Sequence, residues 1–169
     1  MLTPDQEKYL LTISEEKEIL IQPFNPKAKE TGINIVHQIQ SKMPDLQVHF
    51  GGSCALGIAG QNDIDLNALS VPEEHTKYLP LLIELFGAPT KKTPNLVKWE
   101  FQKNGFDVEL YLTDRNSPAL QEHIKTFELI RDNPEYRQEY EQIKLSSNGL
   151  PFREYMRRKY EFFNRILVQ

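Results

Sequence analysis

Two segments of strict alternation, Leu46–Phe50 and Asp63–Leu69, lie on either side of a glycine-rich turn, and they constrain the fold more than anything else in the chain. An apolar–polar period of two marks a strand with one buried face. The turn Gly51-Gly52-Ser53 follows the first segment at once, and a small loop or single helical turn leads to the second. Asp63 and Asp65 stand two apart, so a strand puts both carboxylates on one face, about 6–7 Å apart at the backbone. Such a pair repels itself unless a cation lies nearby. It suits Mg²⁺, a hard ion that takes oxygen ligands and leaves positions open for phosphates. Glycine before Ser53 lets the backbone approach a ligand, and exposed N–H groups with the Ser53 hydroxyl can cradle a phosphate.

The acid triplet alone is a weak sign. With 24 Asp and Glu among 169 residues, about one acid–apolar–acid triplet is expected by chance, and Asp107-Val108-Glu109 is a second instance. The information lies in the order: strand, Gly-Gly-Ser, about ten residues, then Asp-Ile-Asp on a strand. A third acid on a later strand, Glu109 or Asp107, would complete a cluster able to hold two ions across an in-line displacement.

The remaining chain supplies the layers around that unit. Thr3-Pro4 and Asn25-Pro26 each read as an N-cap followed by proline in the first turn. The second of these helices carries Ala28, Ile35, Val36, Ile39 and Met43 at helical spacing and ends at Pro44. Between the two, Glu18–Pro26 is extended or irregular. A helix is expected from about Pro72 to Phe86, with a possible kink at Pro80 and a stop at Gly87. Leu96–Phe101 and Phe106–Leu112 flank an Asn104-Gly105 hairpin turn. From Ser117 onward the chain reads as three helical pieces, broken near Pro134 and at 148–151. The expectation is an α+β fold in one domain, 1–169, with a small mixed sheet and flanking helices over about 18–115 and a helical part over about 116–169.

Charge and composition narrow the function classes. A net charge of −4 and a pI near 5.6 argue against a general nucleic-acid coat protein. No apolar run approaches the roughly 18 residues that cross a bilayer, and the polar N-terminus shows no signal peptide. The one cysteine, Cys54, excludes an internal disulfide and reads as a small buried residue. A cytoplasmic protein without membrane partners is expected. The last twenty residues carry five basic and two acidic side chains, either a solvated face or a basic wall opposite an acidic pocket. Within that helix Lys159 falls inside an apolar stripe of Phe152, Tyr155, Met156, Phe163 and Ile166. Its amine must snorkel to solvent or reach an anion, and Lys144 beside Tyr140 is in a similar position. His49 is read as structural or surface, and Trp99 as core.

The segment from His49 to Leu69 resembles the signature of the nucleotidyltransferase superfamily. That resemblance implies that Gly52 and Ser53 meet nucleotide phosphates, that Asp63 and Asp65 hold Mg²⁺ or Mn²⁺ with two ions possible, and that Glu109 or Asp107 is the third acid. Most of the chain is also similar to the GrpB family, which has this fold. The similar stretches are Gln22–Pro26, Val48–Gly60, the helix with Pro134, Tyr140 and Lys144, and the terminal pattern of Tyr155, Lys159, Phe162 and Phe163. The chain departs from that family where Gln61-Asn62-Asp63-Ile64-Asp65 replaces a Lys-Pro before a single aspartate. It also departs at Tyr111, where the family has histidine, and at Phe127, where it has arginine. The expected activity is transfer of a nucleotidyl group from a nucleoside triphosphate to an acceptor, a small molecule rather than a nucleic acid. Lys144 and Lys159 would bind the triphosphate. The alternative is a nucleotide-binding or regulatory module in which the chemistry is lost.

Overall fold

A computed structural model describes residues 1–168. Its centre is a five-stranded mixed sheet of β1 (Gln47–Gly51), β2 (Ile64–Ser70), β3 (Lys91–Thr93), β4 (Leu96–Lys103) and β5 (Phe106–Asp114), in the order β1-β2-β5-β4-β3. β1 runs antiparallel to β2, β2 parallel to β5, and β5 antiparallel to β4. The expected neighbours are therefore neighbours: the Asp65 strand lies between the turn strand and the Glu109 strand. β4 and β5 close through Asn104 and Gly105, both at positive φ, and Lys103 pairs directly with Phe106. That is the backbone a two-residue Asn-Gly hairpin requires.

Alternation along the strands decides what each face does. Ile64, Leu66, Ala68, Val108, Leu110, Leu112, Val97 and Trp99 point to one face and are almost wholly buried. α2 (Pro26–Lys42) and α4 (His75–Phe86) cover that face with Ala28, Ile35, Ile39, Tyr78 and Leu82. Burying a side chain of this size contributes about 1.5–3 kcal/mol, so this face anchors the sheet. The other face presents Asp65 and Asn67 on β2, Glu109 and Tyr111 on β5, and Glu100 and Lys98 on β4.

The helical part packs at the β1 end of the sheet, where His123 and Phe127 lie against His49 on the polar face. α5 (Pro118–Asp132), α6 (Pro134–Ser146) and α7 (Phe152–Leu167) break at Asn133 and at 147–151, and Asn133 caps α6 through its side chain. Their core of Ile130, Tyr140, Phe162 and Ile166 closes on Leu56 and Ile58, just after the glycine turn. α1 (Pro4–Thr12), with a Thr3–Gln6 capping box, lies on α7 through Leu10 against Tyr155 and Met156.

Three details differ from expectation. β2 starts at Ile64, so Asp63 lies just before the strand, because Asn62 takes φ 57° and breaks the extended run. A 3₁₀ turn, Pro72–Glu74, precedes α4, which starts at His75 and carries Pro80 inside it. The short β3 was not foreseen, since Lys91-Lys92-Thr93 has no apolar alternation and all three residues are exposed on the sheet edge. Among the described residues, no helix is long and apolar enough to cross a membrane.

Candidate active site

The site forms where β1, β2 and β5 present their polar face beside α3 (Gly52–Leu56), a short helix that begins at the glycine turn. Gly52 has φ +74°, and a Cβ there would collide with Asp65 Oδ2. Glycine is thus required twice, by backbone conformation and by the carboxylate seated against it. Gly60 makes a similar allowance, since a Cβ on it would run into Ser53 Oγ.

Asp63 is positioned by Asn62. The Asn62 side chain accepts from the Asn25 backbone N–H at 3.0 Å and donates to the Pro23 carbonyl at 3.1 Å. This ties the Gln22–Pro26 segment to the start of β2. Gln22 and Gly60 exchange two backbone hydrogen bonds at 2.7 and 3.0 Å, which fixes the loop after α3. Asn62 was seen in the sequence only as part of a departure from a pattern, and nothing in its spacing announced this anchoring role.

Asp63 and Asp65 are close enough to act on each other electrostatically, and among the described residues neither has a hydrogen-bond or ion-pair partner. Burial, then the Asp63 charge, raises the Asp65 carboxyl to about 7, against the pull of Lys159 and Lys144. Two hard-oxygen donors held together with no cation from the chain fit a divalent ion such as Mg²⁺, which keeps several waters and is bound by one or two carboxylates plus substrate phosphates. Cys54, just behind them, is pushed up to about 12 by burial and then by the two aspartates. It remains a thiol and takes no part.

The two C-terminal motifs meet here. Lys144 is only 5% exposed, and its amine donates to the Tyr155 hydroxyl at 2.9 Å and lies over the rings of Tyr140 and Tyr155. Tyr140 and Tyr155 are in hydroxyl contact at 3.4 Å. Burial works to raise the Tyr155 phenol, but Lys159 and Lys144 draw it below its ordinary value. Glu141 accepts the Ala59 N–H at 2.8 Å, which docks α6 on the loop after α3 and brings Lys144 toward Ser53 and Gly60. Lys159 lines a small cavity of about 60 Å³ together with Gly52, Asp65, Tyr140 and His123. No carboxylate lies within ion-pair distance of Lys144 or Lys159 among the described residues. The arginines of α7 are different: Arg153, Arg157, Arg158 and Arg165 are each paired with a glutamate, Glu15, Glu7, Glu154 and Glu139. The expected basic wall is therefore mostly spent on ion pairs, two of them to α1 and α6 and one within α7, and among the described residues Lys159 is the α7 cation left to the site.

The third acid is placed by register. Glu109 lies directly across the ladder from Asp65. Asp107 is exposed and accepts from Gln102 Nε2 at 3.0 Å. Glu109 is near enough for its charge to help raise Asp65, but both of its oxygens are engaged elsewhere. Its Oε1 accepts from Lys98 Nζ at 3.0 Å and its Oε2 from the Tyr111 hydroxyl at 2.7 Å. Lys98 also bonds Glu100 at 2.7 Å. Among the described residues no three His, Cys, Asp or Glu side chains gather to hold one ion. The three-acid metal cluster expected of Asp63, Asp65 and Glu109 is accordingly not assembled, because Lys98 and Tyr111 hold the third carboxylate. An open cavity of about 630 Å³ adjoins Asp63 and is lined by Glu100, Phe101, Asp107 and Glu109. Lys98 carries no signal in the sequence and Tyr111 shows there only as a departure from the family pattern, although their place on the polar face follows from alternation once the register is known. His123 carries no such signal either. Burial, then Lys159 and His49, lower it to about 4, and it stays neutral beside His49, whose ring rests edge-on against Phe127.

Comparison with known proteins places the chain further. The family model described as "GrpB protein" matches residues 18–169. A UPF0157 protein of Vibrio cholerae serotype O1 is 27% identical over 137 residues, covering 78% of this chain and 71% of that protein. Among solved structures, Cid1, studied for its RNA terminal uridylyl transferase activity, is 14% identical with a TM-score of 0.45, over 75% of this chain and 42% of that one. The GLD-2/RNP-8 complex is 11% identical with a TM-score of 0.42, over 79% of this chain and 59% of that one. The chain thus spans less than two-thirds of either solved structure's own length.

Proposed function

The chain belongs to the GrpB family, and from that premise we propose that it is a magnesium-dependent nucleotidyltransferase acting on a small acceptor. The observation that carries this reading is the pairing of opposite, unneutralised charges around one turn. Among the described residues Asp63 and Asp65 have no cation, and Lys144 and Lys159 no carboxylate, within ion-pair distance, and Gly52 and Ser53 lie among them. A metal-bound triphosphate supplies both missing partners at once.

In this reading Asp63 and Asp65 hold the ion. When bound, it would offset charge on the phosphate being transferred and on the leaving group. Lys144 and Lys159, with the Ser53 hydroxyl, grip the β- and γ-phosphates. Tyr155 and Tyr140 keep the Lys144 amine aimed at them. The acceptor occupies the open cavity beside Asp63. Its hydroxyl or amine attacks the α-phosphorus, the bond from that phosphorus to the bridging oxygen breaks, and pyrophosphate leaves. Asp107 or Glu109 takes the acceptor's proton. Positioning and electrostatics supply most of the rate in such a transfer.

A second reading, a nucleotide-binding module without chemistry, draws on one observation: both Glu109 oxygens are already engaged by Lys98 and Tyr111. Thermal shift with each nucleoside triphosphate, with and without Mg²⁺ or Mn²⁺, tests the shared part. A ligand at a hundredfold its Kd should raise stability by about 2.7 kcal/mol, and Asp63→Asn or Asp65→Asn should remove the metal-dependent share. Pyrophosphate release in a screen of hydroxyl and amine acceptors then separates the two, and its absence with tight binding favours the module. No shift with any triphosphate in either metal would sink both.

A further inference from the structure

We propose that Lys98 is the chain's own cation on the acceptor side of the site, taking the charge position of a second divalent ion, so that the site accepts one metal and not two. The inference rests on the nucleotidyl-transfer reading above and concerns how that site is charged. Four carboxylates, Asp63, Asp65, Glu100 and Glu109, edge this part of the sheet, and Glu109 sits directly across from Asp65. In a two-ion site the acid facing the paired aspartates would turn toward them and bind metal. Here both of its oxygens are engaged elsewhere. The ammonium of Lys98 bridges Glu109 and Glu100 at 3.0 and 2.7 Å, and the Tyr111 hydroxyl takes the other Glu109 oxygen at 2.7 Å.

This is not an ordinary surface pair. The Lys98 side chain is 19% exposed, while Glu109 is 40% exposed. Its amine also stands 5.4 Å from the Tyr111 ring centre, within cation–π range. Partial burial works against the Lys98 charge, but bonds to Glu100, Glu109 and Tyr111 more than offset it and strengthen its hold on the proton. A second metal would have to displace a bonded cation from a carboxylate whose two oxygens are already occupied. The first metal meets no such competitor, since Asp63 and Asp65 have no partner among the described residues. Lys98 therefore acts as a positioning residue: it keeps Glu109 off the metal and facing the acceptor cavity.

Metal stoichiometry tests this without relying on turnover. The probe is Mn²⁺ with the non-hydrolysable α,β-methylene analogue of ATP, read by low-temperature electron paramagnetic resonance and by ions retained per chain. The wild-type protein should hold one ion with an uncoupled six-line signal. Lys98→Met should hold two, with the coupled signal of ions about 3.5–4 Å apart, and Lys98→Arg should stay at one. Glu109→Gln should leave the single ion's affinity within about threefold, whereas Asp65→Asn should lower it about a hundredfold. A coupled pair in the wild type, or a folded Lys98→Met protein that still holds one ion, overturns the inference and leaves nucleotidyl transfer standing. If Lys98→Met does not fold, Glu109→Gln decides: a loss of more than about tenfold makes Glu109 a metal ligand and overturns it. No retained Mn²⁺ in the wild type overturns both readings.

Discussion

The acids on the open face of the sheet fall into two halves. At one end Asp63 and Asp65 have no cation within ion-pair reach among the described residues, and burial, then the Asp63 charge, raises Asp65 to about 7. At the other end Glu100 and Glu109 share Lys98, and Glu109 also accepts from Tyr111. The halves are one strand apart, yet the chain pairs the carboxylates of one and leaves those of the other without a partner among the described residues. The same contrast recurs among the cations. The four arginines of α7 each have a glutamate, while among the described residues Lys159 on the same helix and Lys144 beside it have none. Acids and lysines left unpaired in one place, beside glutamates and arginines that are paired, mark a gap that a ligand carrying both signs would fill.

Neutralising the bare half should have the largest effect. Asp65→Asn should weaken Mg²⁺-dependent triphosphate binding by about a hundredfold, measured by calorimetry. The same change should strengthen the metal-free protein, with a definite pH dependence. Folded Asp65 keeps its proton up to about pH 7, and the unfolded chain releases it near 4. Folding therefore takes up a proton between those values, so this group's contribution makes stability fall as pH rises from about 4 to about 7. In urea melts with a chelator, Asp65→Asn should exceed the wild type by about 2–4 kcal/mol at pH 8, with the gap closing below about pH 5. A variant weaker than the wild type at pH 8 would show the aspartate to be structural.

Crowding the bare half from beneath should come next. Gly52→Ala puts a Cβ into Asp65 Oδ2 at φ +74°. A left-handed backbone alone costs about 1–2 kcal/mol, and the collision should bring the loss to about 2–4 kcal/mol in chemical denaturation. Asp65→Asn should not rescue it, because the amide fills the same space.

A smaller effect separates the unpaired lysines from the paired arginines. Lys159→Met should lower triphosphate affinity by about 10- to 100-fold while changing stability by less than about 0.5 kcal/mol. Lys159→Arg should restore only part of the affinity, since a planar fork and a point charge fit different geometries. Equal losses of affinity and stability would make Lys159 a packing residue. Arg157→Ala, which removes the exposed pair with Glu7, is the smallest change. It should shift stability by no more than about 1 kcal/mol and leave nucleotide binding unaltered. A loss of binding there would erase the distinction between the two kinds of cation.

Much of the frame was legible from local pattern. Alternation in Leu46–Phe50, Asp63–Leu69, Leu96–Phe101 and Phe106–Leu112 located four of the five strands, and Thr3, Asn25 and Asn104-Gly105 marked helix starts and a hairpin. These signals work because capping, turn conformation and one-sided burial act within a few residues. β3 was illegible, since an exposed edge strand needs no apolar alternation.

Local spacing puts the Asp63 and Asp65 charges near the glycine turn and sets Gly52 beside Ser53. Which charges remain free is settled by folding. Lys98 reaches Glu109 because β4 and β5 pair in a particular register. Lys144 reaches Tyr155 because α6 and α7 close over the loop after α3. Glu7 and Glu15 take arginines of α7 from more than a hundred residues away. Neutralisation depends on distances of a few ångströms between segments remote in the chain, and no local pattern encodes those. The difference between a bare aspartate pair and a lysine-held glutamate is therefore written only in the folded molecule.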